Sequence, residues 1–316
     1  MTNPDNVPSV KFWNGHTMPM FGLGTYLSKD GEAGQAVKDA IDLGYRHIDT
    51  AFVYFNEKEI GKAIKEKIED GTVKREELFV TTKLWNNSHK EAQVVPTCKK
   101  SLSDLGLEYV DLYLVHWPFA CEDGEDTIPL DSGGKMVGSD VDYLETWRGM
   151  EECVRQGLTR SIGVSNFNSE QIERLMKVAT IKPVNNQIEC NVNVAQRKLI
   201  EFCSERKITV TGYSPLGRPG NRYGIANSLD NPIILKISEK YKKSPAQVAC
   251  RYVYQQGAAP IPKSVTKSRI KENIEIFDFN LTDEEMSAIE SLATGERVAE
   301  FPSAKDHKYW PFKIPY

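Results

Sequence analysis

Four ionisable side chains stand where strand-like runs give way to loops. Asp49 closes the run His47-Ile48-Asp49-Thr50, and Tyr54 follows five residues later, in the turn before Asn56-Glu57 re-enters a helix. Lys83 ends Leu78-Phe79-Val80-Thr81-Thr82-Lys83, and His116 ends Val110-Asp111-Leu112-Tyr113-Leu114-Val115-His116. Each has an ordinary explanation on its own. Aspartates cap turns, strand-end lysines snorkel to water, and single histidines such as His16, His47, His89 and His307 serve cores or surfaces. Four such residues on neighbouring strand ends would need four unrelated accidents. As a set they make a proton donor. A phenol with a pKa of ~10 is a weak acid at neutral pH, and an adjacent ammonium lowers such a value by ~1–3. An aspartate keeps the ammonium charged and in place. A neutral imidazole can orient a carbonyl oxygen. This chemistry suits protonation of an oxygen while its carbon is attacked.

Something must hold these ends together. Apolar strand-like runs at 21–25, 46–50, 78–83, 110–116, 160–165, 184–189, 208–214 and 258–263 alternate with helical patterns at 36–44, 57–68, 89–105, 141–156, 168–178, 196–206, 230–242 with 244–256, and 267–275. Eight βα units within about 270 residues predict a closed (β/α)8 barrel of the TIM type, whose active site lies at the C-terminal ends of its strands. Residues 10–20 read as a hairpin around Asn14-Gly15, a dipeptide suited to a type I′ turn. Residues 117–140, 215–229 and the tail from 294 exceed the minimal unit. The tail carries Phe301, Tyr309, Trp310, Phe312 and Tyr316, too many aromatics for a free end, and is expected to fold over the barrel mouth. Neither a linker nor a change of composition divides residues 1–316, so a single domain is expected.

Bulk properties exclude several classes. A net charge of -4 offers no basic field for nucleic acid. No apolar stretch approaches the ~20 residues of a membrane span, and MTNPDNVPSV lacks the layout of a secretory signal. The six scattered cysteines contain no CxxC pair, which fits reduced thiols better than a disulfide framework. A cytoplasmic monomer is expected. No metal is called for, because no ligand cluster is visible.

GLGT at 22–25, GYRHIDTA with Tyr54 and Asn56-Glu57, TTKLW at 81–85, LVHWP at 114–118, SIGVSNF at 161–167, NNQIE at 185–189, GYSPLG at 212–217 and IPKSVTKSRIKEN at 261–273 together resemble the aldo-keto reductase family, from the hairpin to about residue 293. The resemblance extends to insect members, including reductases of 3-dehydroecdysteroids. It implies NADPH bound across the barrel mouth and reduction of a small-molecule aldehyde or ketone. Carried over by motif, Tyr54 is the acid, Lys83 and Asp49 tune it, and His116 orients the substrate. Ser165, Asn166 and Gln187 hold the nicotinamide carboxamide, and Tyr213 stacks on its ring. Gly24, Thr25, Ser214, Leu216 and Val265 complete the cofactor set, with Lys263, Ser264, Thr266, Arg269 and Asn273.

That last group also makes sense from elementary chemistry. A helix start after the final strand offers free N–H groups and a positive dipole end to a phosphate. Lys263 and Arg269 add cations suited to a 2′-phosphate, with Arg269 and Asn273 toward the adenosine. Gly22-Leu23-Gly24 is no Rossmann fingerprint, since position 27 is Leu27.

Tyr26 stands where relatives of the aldose reductase type usually carry tryptophan. Tyr26, Phe55, Trp85, Trp117 and Phe119 are the expected substrate wall. Glu122, Asp123, Glu125 and Asp126 read as a solvated loop that disfavours anionic substrates. Two other readings compete with steroid or other lipophilic ketones: reduction of sugars or reactive aldehydes, and an NADPH-binding regulatory or structural barrel. The complete set of four speaks against a purely structural role, since nothing in packing would require all four.

Overall fold

The computed structural model describes residues 6–28, 31–217, 219 and 227–314. Residues 218 and 220–226, within the expected 215–229 excursion, and Tyr316 lie outside the described residues. The chain opens with strands β1 (Ser9–Lys11) and β2 (Thr17–Pro19), paired antiparallel. Their connection differs from the type I′ turn expected. Phe12 N–H bonds the His16 carbonyl at 2.8 Å, and Gly15, at φ 92°, takes the left-handed position while Asn14 keeps a negative φ. Trp13 adds a third residue, so the loop takes the form closed by a left-handed glycine.

The barrel follows: β3 (Leu23–Gly24), β4 (His47–Asp49), β5 (Phe79–Leu84) and β6 (Val110–Val115). A short antiparallel pair, β7 (Ala120–Cys121) and β8 (Gly138–Ser139), interrupts the series inside the 117–140 excursion. The barrel continues with β9 (Thr159–Ser165), β10 (Asn185–Glu189), β11 (Thr209–Tyr213) and β12 (Ala258–Ile261). The eight barrel strands pair in the ring order β3-β4-β5-β6-β9-β10-β11-β12, each junction parallel. Gly22 and Gly24 close the ring by donating to the Pro260 and Pro262 carbonyls at 3.1 Å. A Cβ on Gly24 would stand 2.8 Å from the Ile261 carbonyl oxygen. Only glycine lets the first and last strands approach this closely.

Helices α1 (Glu32–Asp42), α2 (Glu57–Glu69), α3 (Glu91–Leu105), α4 (Tyr143–Arg155), α5 (Ser169–Val178), α6 (Arg197–Glu205), α7 (Pro232–Tyr241), α8 (Pro245–Gln255) and α9 (Lys267–Ile274) follow the expected pattern. Their apolar faces cover the outward side of the strands in one large core. A further helix, α10 (Asp283–Glu290), escaped the periodicity reading, although Thr282 and Glu285 form a capping box at its start. Inside the ring lies a second core. Phe79, Leu112 and Leu114 point inward and meet Phe12 and Met18 of the hairpin, with Val184 and Ala259. The hairpin therefore plugs the floor, and the interior is free for chemistry only at the opposite end.

Candidate active site

Side chains alternate along a strand, so every second residue climbs the interior. On β5 the sequence is Phe79, Thr81, Lys83, from floor to mouth. His47 precedes Asp49 on β4 and bonds Thr81 Oγ1 at 3.3 Å, one layer below the rim. At that rim Lys83, wholly buried, spends all three ammonium hydrogens. It donates to Asp49 Oδ1 at 2.6 Å, to the Thr50 carbonyl at 2.8 Å and to Tyr54 Oη at 3.4 Å. Burial pushes the lysine pKa down, and Asp49 opposes that shift.

His116 faces Tyr54 edge-to-face at 5.8 Å and Trp85 at 5.0 Å between ring centroids. Burial, then Lys83 and His89, push the His116 imidazole well below its usual pKa. It is neutral at physiological pH and can donate from one nitrogen. The four residues picked out by type and spacing thus share one small volume.

The loop bearing Tyr54 is fixed from beneath. Thr25 donates its hydroxyl to the Asp49 carbonyl at 2.9 Å, and Asn56 Nδ2 donates to the Thr25 carbonyl at 2.9 Å. Thr50 Oγ1 donates to Asn56 Oδ1 at 3.1 Å. Asn56 therefore acts as a cross-tie rather than a helix cap. The neighbouring Glu57 is buried and accepts a 2.6 Å bond from Thr82, on the outward face of β5.

Across the mouth, Ser165 donates to the Gln187 carbonyl at 2.8 Å, Asn166 Nδ2 to the His116 carbonyl at 3.0 Å, and Tyr213 Oη to Asn166 Oδ1 at 2.8 Å. Gln187 Nε2 donates to Asp49 Oδ2 at 2.7 Å, a contact the sequence reading did not foresee. Phe55, Asn166, Ser214 and Phe301 have φ between 49° and 61°. Such left-handed backbone at non-glycine residues costs about 1–3 kcal/mol each and collects at functional sites.

Lys263, Thr266 and Arg269 are exposed beside the start of α9, Ser264 and Val265 are half-buried, and Asn273 is buried. Thr266 makes no side-chain cap, so the first-turn N–H groups remain available to an anion. Lys263 also reaches the Leu27 carbonyl at 3.2 Å, tying this phosphate-suited corner to the GLGT loop. An uncapped helix start with two cations at one side of the mouth, and amide donors and acceptors at the other, fits an extended dinucleotide phosphate.

The expected substrate wall divides into two. Tyr26 and Phe55 are exposed, Phe55 at 74%, and the Tyr26 ring lies 4.9 Å from Tyr54. Trp85 and Trp117 are buried with Phe119 under the tail, where Phe301 contacts all three rings at 5.3–6.0 Å. Phe119 has no exposed surface and backs the wall rather than facing the mouth.

The tail folds over the mouth as its aromatics suggested. Asn168 and Gln171 donate to the carbonyls of Pro311 and Tyr309. Buried Glu189, at the end of β10, accepts from the Val298 and Ala299 N–H groups at 2.9–3.2 Å. Ser303 accepts from Met136 N–H, and Tyr309 donates to Asp142. Among the described residues no cluster of His, Cys, Asp or Glu is placed to hold a metal, and no helix is long and apolar enough to cross a membrane. All six cysteines are buried and unpaired.

Comparison with known proteins bears on the family and the fold. Residues 18–294 match the model of the Aldo/keto reductase family. The chain is 46% identical to "Aldo-keto reductase family 1 member A1-A" of Danio rerio, over 98% of this chain and 99% of the relative. Among solved structures, the aldose reductase of Schistosoma japonicum superposes with a TM-score of 0.93 at 42% identity, covering 98% of this chain and 100% of that one. The aldo-keto reductase of Bombyx mori, solved in complex with NADP, superposes with a TM-score of 0.89 at 43% identity, covering 96% and 99%. By sequence and fold, the chain belongs to the aldo/keto reductase family, the NADPH-dependent oxidoreductases.

Proposed function

We propose that this protein reduces the carbonyl of lipophilic aldehydes and ketones to alcohols, with Tyr54 as the proton donor. The observation that carries the reading is the buried ammonium of Lys83, 2.6 Å from Asp49 and 3.4 Å from Tyr54 Oη. NADPH, when bound, supplies the hydride. The Tyr54 phenol would give its proton to the carbonyl oxygen, and Lys83 would stabilise the phenolate left behind. Neutral His116 donates to the same oxygen and orients it. Ser165 and Asn166, with Tyr213, hold the nicotinamide end. Lys263 and Arg269, with the start of α9, hold the 2′-phosphate end. Gly24, Thr25, Ser214, Leu216, Ser264, Val265 and Thr266 line the path between, and Asn273 supports the adenosine end from below.

Tyr26, Phe55, Trp85, Trp117 and the tail aromatics favour apolar substrates, and a steroid ketone of the 3-dehydroecdysteroid kind is the narrow choice. Likeness to a helminth aldose reductase supports sugars and reactive aldehydes as the second reading. The protein acts as a cytoplasmic monomer in this reading.

The test follows NADPH consumption across aromatic aldehydes, α-dicarbonyls, sugars and steroid ketones. Turnover confined to sugars would reverse the order of the two readings. Tyr54→Phe should lower kcat by roughly 10²–10⁴-fold while NADPH still binds. Retained turnover in that variant overturns the proton-donor assignment. Lys263→Glu and Arg269→Ala should each weaken NADPH far more than NADH in fluorescence titrations. Equal losses for the two cofactors would argue against the 2′-phosphate site.

A further inference from the structure

Asp49 presents two oxygens, and the structure accounts for both. Oδ1 is taken by Lys83 at 2.6 Å, and Oδ2 by Gln187 Nε2 at 2.7 Å. Gln187 stands on β10, four positions round the eight-strand ring from β4, so its side chain reaches Asp49 from the opposite wall. Aspartate and glutamine are both 2% exposed. A carboxylate this deeply buried needs a donor on each oxygen. A carboxylate can only accept, so this bond also fixes which end of the Gln187 amide faces Asp49. The nitrogen is committed and Oε1 is turned away, suited to a donor such as a carboxamide NH2.

We propose that Gln187 is a positioning residue of the acid machinery as well as a cofactor contact. It draws part of the charge of Asp49 away from Lys83 and locks the carboxylate plane. Lys83 then keeps enough net positive charge to acidify Tyr54. With the Gln187 donor removed, the full charge of Asp49 bears on Lys83 alone, and the phenol becomes a weaker acid. This rests on the reading of Tyr54 as proton donor given above.

The test reads Tyr54 directly and without cofactor. In protein carrying ¹³C-labelled tyrosine, the Tyr54 signal is the one lost in Tyr54→Phe, and its shift is followed against pH. Gln187→Met, which keeps the length but lacks the donor, should move the Tyr54 titration up by about one pH unit and lower kcat about tenfold. In an Asp49→Asn background the same change should move it no further. An unmoved titration in Gln187→Met, with only NADPH binding weakened, overturns the proposal and leaves Gln187 a cofactor contact alone.

Where Gln187→Met folds poorly, Gln187→Leu carries the test, since it too removes the donor to Asp49 and adds no new one. A Tyr54 titration unmoved there would equally overturn the proposal. If the native protein consumes no NADPH with any carbonyl, the functional reading fails. The cofactor-free titration still decides the role of Gln187.

Discussion

The two ends of the barrel interior are made by the same strands and have opposite chemistry. At the floor, Phe79, Leu112 and Leu114 meet Phe12 and Met18 in an apolar plug. Two to four residues further along, the same strands or their immediate extensions present Lys83 and His116, and β4 presents Asp49. The floor is held chiefly by area and shape, which ask for size and hydrophobicity, with a few polar ties at its edge such as Asn14 to Ser161 and Trp13 to the Pro183 carbonyl. The mouth is held by charge, where each group is stable only because of its partner. Chemistry requires the second kind of order, and the first kind makes it possible to maintain.

The difference can be broken from either side. Lys83→Met leaves Asp49 buried without its cation and should cost about 3–5 kcal/mol of stability, and it should also abolish most turnover. Urea unfolding and NADPH consumption on the same sample check both. Unchanged stability would mean that the carboxylate does not depend on the lysine. Phe12→Ala at the floor should cost a similar ~3–5 kcal/mol with kcat unchanged, because its ring packs on Phe79 and touches nothing at the mouth. A fall in kcat per folded molecule would show that the plug also shapes the rim.

The smallest effect concerns pH. His89 is buried, both ring nitrogens lack a hydrogen-bond partner among the described residues, and burial pushes its pKa down to about 3. Between pH 6.5 and about 3 the unfolded chain binds a proton at His89 that the folded chain refuses, so stability falls as pH falls. His47, pushed down to about 4, acts in the same sense. Buried Glu57 and Glu189, whose pKa values burial raises, act in the opposite sense. His89→Gln should therefore flatten the acid limb of stability by up to about 1.4 kcal/mol per pH unit. Urea midpoints at pH 7 and pH 5 measure it. An equal slope in both proteins would place the acid sensitivity elsewhere.

Much of this was legible in the chain because it is local. Strand ends at Asp49, Lys83 and His116 follow from alternation and the apolar runs before them, and eight such runs separated by helices leave few architectures. What stayed hidden depends on closure. The Gln187–Asp49 bond joins residues 138 apart on opposite walls, and no window of sequence contains both. Asn14-Gly15 read as a two-residue turn because the dipeptide is common there, while Trp13 lengthened the loop. The capping box that opens α10 was present in the letters, but its weak apolar face gave no periodic signal. Aromatics marked the tail for burial without saying that Phe301 would pack on Trp85, Trp117 and Phe119, or that Phe119 would lose all contact with solvent.

The excursion at 117–140 and the tail are stitched to each other by Met136 to Ser303, Lys135 to Asp306, Ser139 to His307 and Asp140 to Lys308, and Asp142, just beyond the excursion, adds a fifth tie to Tyr309. The tail is also tied to Asn168, Gln171 and Glu189 outside that excursion. Transplanting the tail of a relative alone would leave all five of these seams to be matched, whereas moving residues 117–142 with it keeps the five and leaves the ties to Asn168, Gln171 and Glu189 to be matched. The lining of this mouth is thus exchanged with fewest mismatches when 117–142 and the tail move as a pair and Glu189, at the end of β10, stays to receive the tail.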